Sequence, residues 1–205
     1  MAEILTRDVY WRFDMIRKAV CFVVIAVFLL TPLLTVQKVE SQTLFPDINP
    51  QSAPEIQFLV ERNIIGGYPD GTFRPNQPVT RAEAVTMIGR VLNINPAQTD
   101  TRFSDVHRAH FASGYIQRGA DQGLVGGYTD GTFRPERTVS RAEMAVFLTR
   151  AFTFSDQGYV PYRDVTPNTF GYAAIQSIAV NRITAGYPDG TFRPNNGTTR
   201  LEFAL

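Results

Sequence analysis

The sequence is poor in the residues that crosslink chains, bind metals or attract polyanions. It has one cysteine, Cys21, and two histidines in 205 residues. Residues 42–205 therefore contain no thiol and cannot form a disulfide. Lysine does not occur after Lys38, and from residue 42 onward 15 arginines are balanced by 15 acidic residues. Without a basic surplus, this region offers no general attraction to nucleic acid or anionic lipid.

The motifs of several catalytic and metal-binding classes are also missing. No glycine-rich phosphate loop and no Ser/His/Asp set in a nucleophile-elbow context occurs. His107 and His110 lack the glutamate of metalloprotease spacing, and Asp70-Gly71 lacks the ligand pattern of an EF-hand. We therefore expect the repeat region to have no catalytic residues, no metal and no cofactor.

The first 41 residues have a composition of their own. Arg12, Arg17 and Lys18 precede an uncharged stretch, residues 19–37, which is typical of an export signal. One interpretation is a signal peptide cleaved after Ser41. The other is an uncleaved signal anchor, since an uncharged stretch of this length could just cross a bilayer. Both place the rest of the chain outside the cytoplasm. Contact with the membrane is expected only through this segment, and only if the segment is not cleaved.

The rest of the chain is dominated by repetition. Three short motifs each occur three times, in the same order. The first motif is an aromatic residue followed two positions later by an aspartate, and it occupies residues 45–47, 103–105 and 162–164. Gly-Tyr-Pro-Asp-Gly-Thr-Phe-Arg-Pro, with one proline replaced by Thr129, occupies residues 67–75, 127–135 and 186–194. Thr-Arg-Ala-Glu, with the changes Ser140 and Leu201, occupies residues 80–83, 140–143 and 199–202. This periodicity indicates tandem copies of one structural unit.

Each unit reads as helix, structured loop, helix, so the predicted fold class is mainly α with only very short extended segments. In the first unit, Pro54 begins a helix that Gly66-Gly67 end. Pro-Asp-Gly forms a turn, Phe73 is a predicted core anchor, and Thr80 with Glu83 forms a capping box for the second helix. The predicted units are residues 45–94, 103–152 and 162–205.

The third unit is shorter than the others. Its second helix begins at Thr199, and the sequence ends at Leu205, the position that matches Thr86. The counterparts of Ile88 and Leu92 are therefore not present. Two interpretations remain open: a fragment of a longer protein, or a third unit that lacks part of its helix.

With all three motifs in order in every copy, the chain resembles three tandem S-layer homology (SLH) domains, the third truncated at its C-terminus. The resemblance covers about residues 45–205. It implies a pseudo-threefold spindle whose inter-repeat grooves hold cell-wall polysaccharide, typically bearing pyruvate ketals. It also implies noncovalent anchoring of an exported protein at the cell wall, the S-layer or the periplasmic face of an outer membrane, and no catalysis by the repeats.

The resemblance and helix chemistry together suggest nine polysaccharide-binding residues. The arginine after each helix N-cap could bind a ketal carboxylate beside helix N-terminal N–H groups, or could be solvated or pair with a nearby carboxylate. The opening aspartates could accept hydrogen bonds from sugar hydroxyls, cap the first helix or brace a turn. The glycines could admit a ligand or serve turn geometry. The candidates are Arg81, Arg141, Arg200, Asp47, Asp105, Asp164, Gly67, Gly127 and Gly186.

Three functional hypotheses follow from this reading. The leading one is a non-enzymatic module that binds pyruvylated cell-wall polysaccharide or a peptidoglycan-linked glycan and anchors its protein to the envelope. The second is the tether of a larger exported hydrolase. The third is part of an S-layer or outer-membrane structural protein.

Overall fold

The repeat region folds as helix pairs. The structure is a computed structural model that describes residues 44–205. The predicted export signal (1–41) therefore lies outside the described residues. Each repeat contributes two helices, which confirms the predicted mainly α fold. The helices are α1 Ala53–Glu61, α2 Arg81–Val91, α3 Ser113–Asp121, α4 Arg141–Ala151, α5 Tyr172–Val180 and α6 Arg200–Ala204. Within residues 44–205, extended backbone pairs only in isolated bridges, and none of the helices has both the length and the apolar character for a membrane crossing.

The first helix of each repeat ends earlier than predicted. Gly66-Gly67 do not end α1, which stops at Glu61. Asn63 adopts a left-handed conformation with φ of 55°, and the N–H of Ile64 donates to the Leu59 carbonyl at 2.9 Å. This arrangement satisfies a carbonyl of the last helical turn. The equivalent left-handed residues after α3 and α5 are Gly123 and Arg182.

The second helix of each repeat begins with the predicted capping box. The Thr80 hydroxyl accepts from the Glu83 N–H at 3.2 Å, and the Glu83 carboxylate accepts from the Thr80 N–H at 2.7 Å. The same reciprocal pair caps α4 and α6. These bonds satisfy donors that every helix N-terminus leaves free, so the prediction is confirmed in all three copies.

The turn of each repeat is held from two sides. Asp70 accepts from the Thr72 hydroxyl at 2.6 Å and pairs with Arg74 at 2.8 Å. From outside the turn, Asp47 accepts from the Phe73 N–H at 2.8 Å and the Arg74 N–H at 2.7 Å. Arg74 has a φ of 58°, a conformation that a side chain disfavours, and the two aspartates hold it there. Repeats two and three have the same bonds.

The predicted phenylalanine anchors are confirmed. Phe73 is fully buried, and its ring centroid lies 5.5 Å from that of Phe45, the aromatic residue of the opening motif. The equivalent pairs are Phe103 with Phe133 and Tyr162 with Phe192. Each pair joins the start of a repeat to its turn through buried apolar surface.

The three repeats meet in a closed ring of backbone hydrogen bonds. The Val139 N–H donates to the Val79 carbonyl at 3.0 Å, Val79 donates to Thr198 at 2.9 Å, and Thr198 donates to Val139 at 3.0 Å. Each residue holds the same place in its own repeat and each donates once and accepts once. Residues 44–205 therefore have the pseudo-threefold arrangement that the family resemblance implied.

A second set of backbone bonds joins each repeat to the next. The N–H groups of Arg81 and Ala82, at the start of α2, donate to the carbonyls of Arg137 at 2.9 Å and Pro135 at 3.0 Å. The same two donors of α4 bond to the third repeat, and those of α6 bond to the first. Since the capping box uses the next N–H, the first three N–H groups of each second helix are satisfied within the protein.

The arginine that follows each N-cap extends the same link with its side chain. The Arg81 guanidinium donates to the carbonyls of Phe133 and Gly126, both at 2.9 Å, and to Glu143 Oε1 at 3.0 Å. Only 3% of Arg81 is exposed. Burial lowers the pKa of its guanidinium, although arginine stays protonated in proteins. We call this set of contacts the Arg81 clasp.

An apolar cavity of about 280 Å³ lies beside the short helix α6. Met87 and Ile88 of α2 and Met144 and Leu148 of α4 contribute to its walls, together with Leu205. α6 packs against α1, which completes the circuit of the three repeats. The capping box at Thr199 and the packing against α1 both contribute to holding α6, since helices this short gain most of their stability from capping and tertiary contacts.

Arg81→Ala should destabilise the repeat region strongly. The substitution leaves two buried carbonyls without their donor and removes one partner of Glu143, so we expect a loss of about 3 kcal/mol in the free energy of unfolding. Denaturant unfolding of residues 42–205 measures it. Arg108→Ala is the control, because Arg108 is exposed and, among residues 44–205, its side chain pairs only with exposed Asp100. Equal unfolding midpoints for the two variants would contradict the clasp.

The turn carboxylates should make stability depend on acid. Bonds from the Thr132 hydroxyl and then from Arg134 lower the pKa of Asp130 to about 2, and the corresponding bonds lower that of Asp189 to about 2; the pKa of Asp70 is lowered as well. A depressed folded-state pKa gives stability that is complete above the unfolded pKa of about 4 and is lost as the pH falls toward 2.

The triple variant Asp70→Asn, Asp130→Asn, Asp189→Asn keeps acceptors for the threonines but cannot titrate. We expect its melting temperature to fall less than that of the unsubstituted protein between pH 5 and pH 2. Thermal unfolding followed by circular dichroism at several pH values makes the comparison. Parallel curves for both proteins would contradict the assignment.

Candidate functional site

A groove of about 310 Å³ opens between the first and second repeats, directly above the Arg81 clasp. We call it the first groove. Its floor comes from the start of α2 and from the turn of the second repeat, one wall comes from α4, and Phe170 of the third repeat stands at its edge. It is lined by Arg81, Gly126, Gly127, Tyr128, Thr129, Glu143, Val146, Phe147, Arg150 and Phe170.

Glu143 is the polar centre of this groove. Its Oε1 accepts from the Tyr128 hydroxyl at 2.9 Å and from Arg81 at 3.0 Å, and it also contacts Arg137. Its Oε2 accepts from the Ser140 N–H at 2.9 Å. Burial alone would raise the pKa of Glu143, but these donors lower it overall, so the carboxylate is ionised at neutral pH. Its charge is already matched by two arginines.

Aromatic rings enclose the Arg81 guanidinium. Its Cζ lies 4.5 Å from the ring centroid of Phe133, 5.1 Å from that of Tyr128 and 5.4 Å from that of Phe147. Cations are attracted to the faces of such rings. Arg81 therefore places a buried positive charge under the groove floor. Its guanidinium already donates to two backbone carbonyls and to Glu143.

The three predicted arginines occupy equivalent interfaces. Arg141 Nε donates to the Phe192 carbonyl at 2.8 Å, and Arg200 Nε donates to the Phe73 carbonyl at 2.8 Å. The interpretation that such an arginine pairs with a nearby carboxylate holds for Arg81 with Glu143 and for Arg141, which lies 3.4 Å from Glu202. The expectation of available helix N-terminal N–H groups beside them is wrong, because neighbouring carbonyls and the caps use those donors. Binding of a carboxylate by these arginines stays a prediction.

The three predicted aspartates lie away from the groove lining. Of the roles considered for Asp47, Asp105 and Asp164, the structure shows the bracing of a turn. Both carboxylate oxygens accept backbone N–H groups, as in Asp105, which holds Phe133 at 2.7 Å and Arg134 at 2.7 Å. Asp105 supports the floor of the first groove through this turn, and Asp47 and Asp164 brace the equivalent turns of the other repeats. A contact of the three aspartates with sugar stays a prediction.

The three predicted glycines are required by close packing. A Cβ atom on Gly67 would lie 2.1 Å from the Phe45 ring, and one on Gly127 would lie 2.4 Å from the Phe103 ring. Gly186 has the same relation to Tyr162 and also adopts a positive φ of 71°. Gly127 lines the first groove, so it leaves room there for a ligand as well as for the ring behind it.

The other two interfaces share the plan but differ in chemistry. At the second, Ala185 stands where the first has Gly126, and Arg141 Nη2 reaches the Thr184 hydroxyl at 3.5 Å. At the third, Arg200 donates to the Gly66 carbonyl at 2.5 Å and has no carboxylate partner among residues 44–205. The Tyr68 hydroxyl beside it is buried and lacks a partner within the described part of the chain.

Of the five groove residues that lie outside the three motifs, two have exposed side chains, and the motifs did not predict them. They are Arg150, in the last turn of α4, and Phe170, just before α5. A weak signal was present: Arg90 and Arg150 both follow their clasp arginine by nine positions, and Phe111 and Phe170 both follow their opening aromatic residue by eight.

Comparison with known proteins places these repeats in a family. The sequence model of the S-layer homology domain matches residues 44–85, 102–145 and 161–204. Over 155 residues the chain is 36% identical to "Cell surface glycoprotein 1" of Acetivibrio thermocellus. The alignment covers 69% of this chain and 7% of that protein. Over 147 residues it is 33% identical to the "Cellulosome-anchoring protein" of the same organism, covering 66% of this chain and 32% of that protein.

An enzyme is also among the relatives. Over 160 residues the chain is 32% identical to an "Endoglucanase" of Bacillus sp. (strain KSM-635). The alignment covers 75% of this chain and 17% of that protein. The chain thus spans about a third or less of the length of these relatives. The three family matches follow the three helix pairs and together cover more than half of the sequence. The chain belongs to the S-layer homology domain family.

Proposed function

We propose that residues 44–205 anchor an exported protein to the bacterial cell envelope by binding pyruvylated secondary cell-wall polysaccharide in a groove between repeats. The observation that carries the proposal is the first groove, in which two arginines, Arg81 and Arg150, accompany one glutamate, Glu143. Family membership and the similarity to a protein named as a cellulosome anchor support a role in attachment. The repeats themselves act as a binding module without catalysis.

The groove suits an acidic sugar. A pyruvate ketal presents a carboxylate fixed to a pyranose ring, so a receptor needs a cation next to a flat apolar surface. Guanidinium groups bind carboxylates through charge-assisted hydrogen bonds, and aromatic rings cover the apolar face of a sugar. Tyr128, Phe147 and Phe170 supply rings beside the arginines. The net positive charge of the lining favours a ligand with one negative charge per site.

A second candidate function concerns the whole protein. The relative named as an endoglucanase resembles this chain over only 17% of its own length, so its similar part is a small portion of an enzyme. On that model, residues 44–205 would tether a larger exported hydrolase. A structural S-layer or outer-membrane protein carrying these repeats is the corresponding non-enzymatic case. Both alternatives retain the same attachment role for the repeats.

Cosedimentation with purified cell-wall sacculi tests the proposal. Residues 42–205 form a compact unit with its own hydrophobic core, so they are the protein to use. We expect them to cosediment with sacculi that carry ketal-bearing polysaccharide and to stay in solution after mild acid has removed the ketals. The physical reason is the loss of the carboxylate that the groove arginines would bind.

Two outcomes would overturn parts of the proposal. Equal sedimentation with untreated and ketal-free sacculi would exclude the pyruvylated ligand. The absence of binding to either preparation, for protein whose melting curve shows a folded state, would exclude the anchoring role. Arg81→Ala is unsuitable as a binding variant, because loss of the clasp would lower stability at the same time.

A further inference from the structure

We propose that Arg150, with Phe170 beside it, is the residue that binds the acidic group of the ligand in the first groove. The inference rests on the proposed function and names the side chains that perform it. It differs from the sequence-based prediction, which assigned this role to Arg81, Arg141 and Arg200, of which Arg81 lines the first groove. Neither Arg150 nor Phe170 belongs to a motif that recurs in all three repeats.

Arg150 is the groove cation whose hydrogen-bonding capacity is uncommitted. Arg81 is buried and donates to two carbonyls and to Glu143. Arg137, close by, pairs with the same glutamate. Arg150 is exposed, and among residues 44–205 it has neither an ion-pair partner nor a hydrogen-bond partner. A ligand carboxylate can therefore take the planar fork of Arg150 without displacing a bond that holds the repeats together.

The position of Arg150 brings it over the groove floor. Its Nη1 lies 4.0 Å from the point where a Cβ atom of Gly126 would stand, and the Gly126 carbonyl accepts from Arg81 at 2.9 Å. The two guanidinium groups thus approach the same glycine. One of them is part of the clasp and the other faces the groove. Because residue 126 has no side chain, a small anionic group can reach the fork of Arg150 next to the buried charge of Arg81.

Phe170 supplies the apolar part of the site. Its side chain lies at the edge of the groove and the residue is 65% exposed, which is unusual for a phenylalanine. Covering this ring with the apolar face of a sugar would remove it from water and cost no internal contact of the core. A carboxylate on Arg150 and a pyranose on Phe170 would then be the two contacts of one ketal-bearing residue.

The first repeat offers a matched internal control. Arg90 follows Arg81 by nine positions, as Arg150 follows Arg141, but Arg90 Nη1 donates to the Ile64 carbonyl at 3.1 Å. Phe111 is the counterpart of Phe170 and is also exposed. Arg90 and Arg150 thus occupy the same position in their repeats. They differ in whether the guanidinium is already bound.

The test is equilibrium binding of soluble, pyruvylated cell-wall polysaccharide, measured by isothermal titration calorimetry with residues 42–205. We expect Arg150→Gln to weaken binding about tenfold or more, and Phe170→Ala to weaken it about fivefold. Arg90→Gln and Phe111→Ala should change affinity less than twofold. All four variants should keep the melting temperature of the unsubstituted protein within a few degrees. Arg150→Lys should recover part of the affinity, since it restores the charge but not the fork.

The outcomes separate this inference from the proposed function. If the unsubstituted protein binds and Arg150→Gln binds equally well, Arg150 is not the carboxylate-binding residue, although anchoring stands. If Arg90→Gln weakens binding as much as Arg150→Gln, the first groove is not the preferred site, and the inference fails. If the unsubstituted protein does not bind the polysaccharide, the proposed function fails first. With ketal-free polysaccharide, the unsubstituted protein and Arg150→Gln should have the same affinity. If Arg150→Gln still binds more weakly, Arg150 does not act by binding the carboxylate.

Discussion

The repeat region depends on one exchange of hydrogen bonds, in which each repeat completes the helix N-terminus of the repeat before it. The first N–H groups of α2, α4 and α6 donate to carbonyls of the second, third and first repeat in turn. A helix leaves such donors unsatisfied, and burying them without partners is costly. Within residues 44–205, the capping box satisfies one N–H group of each second helix, but the first two N–H groups have their partners in the next repeat. A single repeat should therefore be unstable, and the circuit of three is the smallest unit that satisfies all of them.

This exchange also explains why the groove and the interface share atoms. The Arg81 clasp forms the floor of the first groove, so the buried positive charge, the Glu143 carboxylate and the Tyr128 hydroxyl are structural groups that a ligand would also meet. Groups with two roles cannot be altered without changing stability. Residues at the edge, such as Arg150 and Phe170, are under no such constraint and can vary with the ligand.

The three interfaces show how equal geometry can carry unequal chemistry. The clasp arginine always donates to the carbonyl of the buried phenylalanine in the next turn. The acid partner differs: Arg81 bonds to Glu143 at 3.0 Å, Arg141 lies 3.4 Å from Glu202, and Arg200 has only carbonyl partners among the residues that the structure describes. Repetition thus preserves what joins the repeats, while single changes make the grooves distinct.

The sequence by itself determined the features that depend on near neighbours. The capping boxes at Thr80, Ser140 and Thr199 follow from bonds between residues three apart, and the recurrence of the motifs identified the repeat and its family. Only the tertiary structure decided the partners of the arginines and the opening aspartates. Arg81 donates to the carbonyl of Phe133, 52 positions away in the sequence, and Arg200 donates to that of Gly66, 134 positions away. A guanidinium binds carbonyls and anions through the same donors, so residue type and local spacing could not distinguish a clasp from a ligand site.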